Sequence, residues 1–172
     1  MVDNIVHPPP YYPYYYGTNI VYKNNYVYVN DVEYVTADEF YNQAWSLAHD
    51  TEVVVQTSES ESEDDWLAMG TFAVFEQDGE TGTGLLIQLA TSKTGLIRGN
   101  MFQETSEGVW QIFGAVEPKT QRIALRFAED DEMILECGLW NLTQDTVPML
   151  VHLGAGEHEN WTLIRLVNSE NE

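Results

Sequence analysis

The sequence predicts a mainly β protein: an eight-stranded antiparallel up-and-down β-barrel, preceded by a small β-hairpin plus helix unit. Three observations predict it. From Trp66 onward, short runs of alternating apolar and polar residues are separated by turn residues. All 10 tyrosines lie at or before Tyr41, so the N-terminal part is built by different rules. The alternating runs number eight, and an even count lets the first and last strands pair antiparallel and close the sheet.

Residues 1–18 read as a Pro/Tyr-rich tail. Pro8, Pro9, Pro10 and Pro13 stand among Tyr11, Tyr12, Tyr14, Tyr15 and Tyr16, and proline favours an extended polyproline chain. Such a segment is a tail ordered only where it meets a surface, or an adhesive strip whose tyrosines offer apolar faces with a polar tip. Residues 19–50 form the small unit. Strands are expected at 19–22, 26–29 and 32–35, joined by Asn24-Asn25 and Asn30-Asp31, because asparagine tolerates positive φ. Thr36 is placed to cap a helix, with Glu39 three residues on completing a capping box. Phe40, Tyr41, Ala44, Trp45 and Ala48 then recur at helical spacing. A unit this small has no self-sufficient core, so it is expected to dock on the barrel or on another copy. Residues 51–65, with four glutamates and two aspartates, read as a solvated acidic linker.

The barrel is expected over residues 66–168, with strands at 67–76, 85–91, 96–103, 109–117, 121–128, 133–143, 147–153 and 161–167. Leu85/Ile87/Leu89, Ile123/Leu125/Phe127, Met133/Leu135/Cys137/Leu139 and Met149/Val151/Leu153 alternate with period two, placing one face in a core. Glu136 and His152 fall out of phase with these residues, so both are expected on the outer face, Glu136 toward Arg122 or Arg126. Residues 154–160 read as a loop carrying His158. Closure removes exposed strand edges, which favours a barrel over an open sandwich.

Composition excludes several classes. The chain has 172 residues and a net charge of −21, from 7 basic against 28 acidic residues. Phosphate backbones repel such a chain, so nucleic acid is not expected as a partner. No apolar run is long enough to span a bilayer as a helix, so no membrane insertion is expected. The first residues carry a proline–tyrosine tract in place of a charged and then apolar leader; an exported protein would have lost its signal peptide. The acidity is not a calcium site in itself, since EF-hand spacing is absent. The single cysteine, Cys137, permits no internal disulfide and reads as a small core residue.

No catalytic or cofactor motif emerges. The histidines at 7, 49, 152 and 158 are scattered, and no acid–base pair or nucleophile can be placed, so neither enzyme activity nor a metal or cofactor is expected. Trp66, Trp110, Trp140 and Trp161 lie near strand ends, as end plugs or as an aromatic platform at a barrel mouth. Tyr22, Tyr26, Tyr28 and Tyr34 are candidates for self-association. The expected function is a structural or interaction module whose partner is a second copy or another cell-surface protein. The alternative is a carrier or sensor holding a small apolar ligand in the barrel.

Two resemblances add to this. Gly-Leu-Ile-Arg-Gly-Asn-Met-Phe at 95–102 is similar to a motif of the avidin/streptavidin-like calycin meander. That resemblance implies topology only; the nearly all-apolar inward positions do not match a biotin cage. The same run resembles, together with Lys119-Thr120-Gln121-Arg122, Gly138-Leu139-Trp140-Asn141-Leu142-Thr143-Gln144 and Val151-His152-Leu153-Gly154, uncharacterised planctomycete proteins labelled mu-protocadherin or cell-surface protein. This second resemblance covers most of the chain. It implies a bacterial protein that is exported or at the cell surface, and no particular activity.

Overall fold

The computed structural model describes residues 13–49, 66–76, 82–105, 107–154 and 156–166. The acidic linker and the first twelve residues of the tail lie outside the described residues. The architecture is a closed eight-stranded antiparallel barrel, with a three-stranded sheet and one helix packed on its outer wall.

The small unit comprises β1 (Ile20–Lys23), β2 (Tyr26–Val29), β3 (Val32–Thr36) and α1 (Ala37–Ala48). Asn24 and Asn25 have φ of 54° and 68°, and Asn30 and Asp31 have 53° and 69°. Positive φ at both central residues gives the two-residue hairpin turn whose twist matches that of the flanking strands. The Thr36 side chain accepts from the Glu39 backbone at 3.1 Å, and the Glu39 carboxylate accepts from the Thr36 backbone at 3.0 Å. The capping box expected from the sequence is therefore present.

The barrel strands are β4 (Trp66–Phe75), β5 (Gly82–Ser92), β6 (Leu96–Gln103), β7 (Val109–Val116), β8 (Arg122–Phe127), β9 (Asp130–Gly138), β10 (Thr146–Gly154) and β11 (Glu157–Arg165). They run as a meander, and β11 closes the cylinder on β4. Phe72, Ile87, Leu89, Ile97, Ile112, Ile123, Leu125, Leu135, Cys137, Met149 and Leu163 fill the interior and are buried. Burial, then the Glu136 charge across the wall, push the Cys137 thiol well above its ordinary value, so it stays protonated as a small apolar residue.

One end is plugged. The expected long strand at 133–143 stops at Gly138, and a 3-10 turn over Asn141–Thr143 folds inward with Leu142 buried in the core. Arg165 fastens the plug by donating to the carbonyls of Leu142, Gln144 and Met69. The Met69 carbonyl is free for this because the β4–β5 register slips between Ala68 and Gly70, as a bulge does.

The second departure concerns the expected loop at 154–160. Gly154 and Gly156 have φ of 148° and 92°, so the chain reverses within a tight turn and β11 begins already at Glu157. His158 is therefore a strand residue, directly opposite His152 in the β10–β11 register.

The small unit docks on its own barrel. Ala124 and Ile134, on the outer wall, are buried beneath Tyr41, Ala44 and Ala48 of α1. Leu150, also outward, is buried against Tyr14, Ile20, Val27 and Phe40. The end of the tail joins this layer. The Tyr14 amide donates to Asn141 Oδ1 at 2.8 Å, its hydroxyl donates to the Thr120 carbonyl at 3.0 Å, and its ring lies where a side chain on Gly138 would stand. The part of the tail at 13–16 is thus a packed element of the fold, because Gly138 leaves room for a ring.

Candidate functional site

Two regions of the surface carry chemistry: the unplugged mouth of the barrel, and the outer wall where the small unit docks.

The mouth is a solvent-open depression of about 760 Å³. Leu85, Met101, Val109, Trp110, Phe127, Met133 and Trp161 give it an apolar floor and walls, and Gln111, Glu129 and Asp130 stand at its rim. The barrel geometry explains the set. The ends of β6 and β8 and the starts of β7 and β9 meet here, so inward residues at these ends face the opening rather than the filled middle. Trp161 donates from its indole to Glu159 at 3.0 Å, which fixes the ring in the wall. Trp110 is 42% exposed.

Of the four tryptophans expected at a mouth, the structure brings together Trp110 and Trp161. Trp66 begins β4 at the plugged end, with the Arg98 guanidinium 4.1 Å above its ring. Trp140 also lies at that end, edge-on to Tyr15 at 6.5 Å. Strand parity accounts for the split: in a meander, alternate strands start at opposite ends.

The tyrosines proposed for self-association also divide. Tyr22 is stacked on His158 at 3.9 Å and lies edge-on to Phe40 at 6.1 Å. Tyr28 is half-buried, with Lys23 Nζ 5.4 Å above its ring. Tyr26 and Tyr34 are exposed, and the Tyr34 hydroxyl donates to Gln43 at 3.3 Å.

Beneath α1 lies a buried polar cluster. Glu136 is expected in solvent from its phase; it does point out of the barrel, but it is fully buried because the small unit covers that wall. Arg122 Nη2 donates to Glu136 Oε1 at 2.7 Å and Arg122 Nε donates to Oε2 at 3.2 Å. The Tyr16 hydroxyl donates to Oε2 at 2.9 Å, and His152 Nε2 lies 2.8 Å from Oε1. Arg122 also donates to Gln43 Oε1 at 2.8 Å and to the Phe40 carbonyl at 2.9 Å, with its guanidinium 3.9 Å from the centre of the Phe40 ring. Burial by itself would raise the Glu136 carboxyl. The Arg122 charge and the bonds from His152 and Arg122 outweigh it and hold the group down at about 2. Glu136 is then an acceptor only, so His152 Nε2 carries the shared proton. Burial and the Glu136 charge push the Tyr16 hydroxyl well up, keeping it a donor.

Beside this cluster a second opening of about 540 Å³ separates the β1–β2 turn from the β10–β11 hairpin. Tyr22, Lys23, Asp38, His152, Glu157 and His158 are among its lining residues. Burial, then His152, push His158 below its ordinary value. Among the described residues no group of three or more His, Cys, Asp or Glu side chains comes together as a metal cluster. No described helix is long and apolar enough to cross a membrane.

No protein-family model, no curated protein and no solved structure matches the chain.

Proposed function

We propose that the protein is a non-enzymatic binding module that takes a small, largely apolar ligand at the open mouth of its barrel. The observation that carries this reading is the mouth itself: about 760 Å³ of space walled by two tryptophans, two methionines, Phe127, Leu85 and Val109. Small-molecule sites are concave and mostly apolar, with a few polar groups fixing orientation, and span roughly 300–1,000 Å³. The packed middle of the cylinder confines the ligand to this end. Glu129, Asp130 and Glu159 around the opening disfavour an anion, so the ligand class is neutral or cationic rather than a fatty acid. The resemblance to bacterial surface-associated proteins and the strongly acidic composition support an exported or cell-surface setting.

The test is a fluorescence titration of the full chain with a neutral apolar dye such as Nile red. One saturable site is expected. Trp110→Ala and Trp161→Ala should each weaken it about tenfold, since truncating an aromatic side chain that the ligand covers removes on the order of 1–2 kcal/mol. Trp66→Ala, at the plugged end, should leave affinity unchanged. Equal affinity in all three variants would place the dye elsewhere and end this reading.

A second reading, self-association or attachment to another surface protein, is favoured by one observation. Tyr26, Val32 and Tyr34 leave the small sheet with exposed apolar area, Val32 at 67% and Tyr34 at 50%. Concentration-dependent light scattering that Tyr34→Lys abolishes would support it.

A further inference from the structure

We propose that the cross-strand pair His152 and His158 forms a chelating site for a late first-row divalent metal ion, of the class of Zn²⁺ or Cu²⁺. The two residues are direct partners in the β10–β11 register. Residues directly opposite in an antiparallel pair share a face and stand with Cβ atoms about 5 Å apart, within the span of one ion. Both line the same solvent-open cavity of about 540 Å³.

The ring atoms favour coordination. His152 is 2% exposed and its Nε2 is engaged by Glu136 at 2.8 Å. Among the described residues its ring hydrogen-bonds only through Nε2, and with the proton held there Nδ1 presents a lone pair. A carboxylate bonded to the far nitrogen of an imidazole is the arrangement that orients histidine ligands in metal sites and raises their basicity. Here Glu136 is itself pinned by Arg122, so the His152 ring is held rigidly. Among the described residues His158 makes no hydrogen bond, and its ring is held flat against Tyr22 at 3.9 Å, which leaves its nitrogens at the ring edge available. Asp38 and Glu157 in the lining add negative potential, opposed by Lys23. Two imidazole nitrogens without a protein thiolate suit copper, nickel or zinc, the remaining positions being filled by water.

The experiment is a calorimetric titration of the full chain with Zn²⁺, repeated with Cu²⁺, in 0.15 M salt with millimolar Mg²⁺ to occupy diffuse carboxylate sites. One saturable equivalent is expected, tighter for Cu²⁺. His158→Ala, at a surface position, should keep the wild-type unfolding temperature and lose at least tenfold in affinity. His49→Ala, at the C-cap of α1, should bind as the wild type does. Substoichiometric Cu²⁺ should broaden the ring proton resonances of His152 and His158 before those of His7 and His49. Trp110→Ala should leave metal binding intact, which separates this site from the mouth. Failure to saturate above the Mg²⁺ background, or full affinity in His158→Ala, would overturn the proposal.

Discussion

Glu136→Ala is expected to be the most destabilising single substitution on the outer wall, by about 3–5 kcal/mol, because it leaves the Arg122 guanidinium buried without its counter-charge. Arg122 has almost no solvent to turn to: its side chain is 8% exposed, and its remaining bonds go to neutral oxygens on α1. The loss should appear as a lower denaturation midpoint. It should also appear as selective proteolysis of the small unit, since Tyr16, Phe40 and Gln43 all meet the barrel through this pair. The same cluster sets an acid limit. Glu136 sits at about 2 in the folded protein against an ordinary 4.5, so the unfolded chain binds the proton first as pH falls. Its contribution, on the order of 3 kcal/mol, is complete above about pH 4.5 and is lost progressively between there and pH 2. Equilibrium unfolding across that range should show a steeper fall for the wild type than for Glu136→Gln.

Gly99→Ala is expected to cost about 3 kcal/mol, the upper range for inserting a methyl where the structure cannot yield. A Cβ at position 99 would fall on the backbone carbonyl of Gln88 in the neighbouring strand, and at Gly114 on that of Ala124. Neither obstacle is the end of a flexible side chain, so relief requires β5 or β6 to shift at Gly99, and β7 or β8 at Gly114. Thermal unfolding of Gly99→Ala and Gly114→Ala should show comparable losses, whereas Gly84→Ala, with nothing near its Cβ but φ of 78°, should show a smaller one. The Gly95-x-Ile97-x-Gly99 spacing thus has a physical meaning independent of any resemblance: tightly coiled strands approach each other at the second glycine.

Much of the fold is legible in the sequence because period two reports directly on a single buried face. Leu85, Ile87 and Leu89, or Met133, Leu135 and Cys137, announce which side of each strand points in. Asn24-Asn25 and Thr36 with Glu39 announce their turn and cap by local chemistry alone. What alternation cannot report is a second burial on the other face. Glu136 and His152 sit at outward positions and look solvated, yet they are sealed by Tyr16, Phe40 and Gln43, residues roughly a hundred positions earlier in the chain. A signal was present: Ala124, Ile134 and Leu150 are apolar at outward positions of three consecutive strands, as expected of a wall that another element covers. The position of His158 was obscured by glycine-rich composition, which reads as a loop when it is a tight turn. The division of the tryptophans between two ends follows from counting strand directions, since Trp66 begins the first barrel strand and Trp110 the fourth.

The central claim is that ligand enters at the end of the barrel opposite the Leu142 plug. Indole N–H resonances of the five tryptophans, followed by NMR during titration with a neutral apolar probe, test it most directly. Trp110 and Trp161 should shift together and saturate together while Trp66 and Trp140 stay in place. Movement of Trp66 or Trp140 with Trp110 and Trp161 unmoved, or no saturable shift at any indole, would contradict the account.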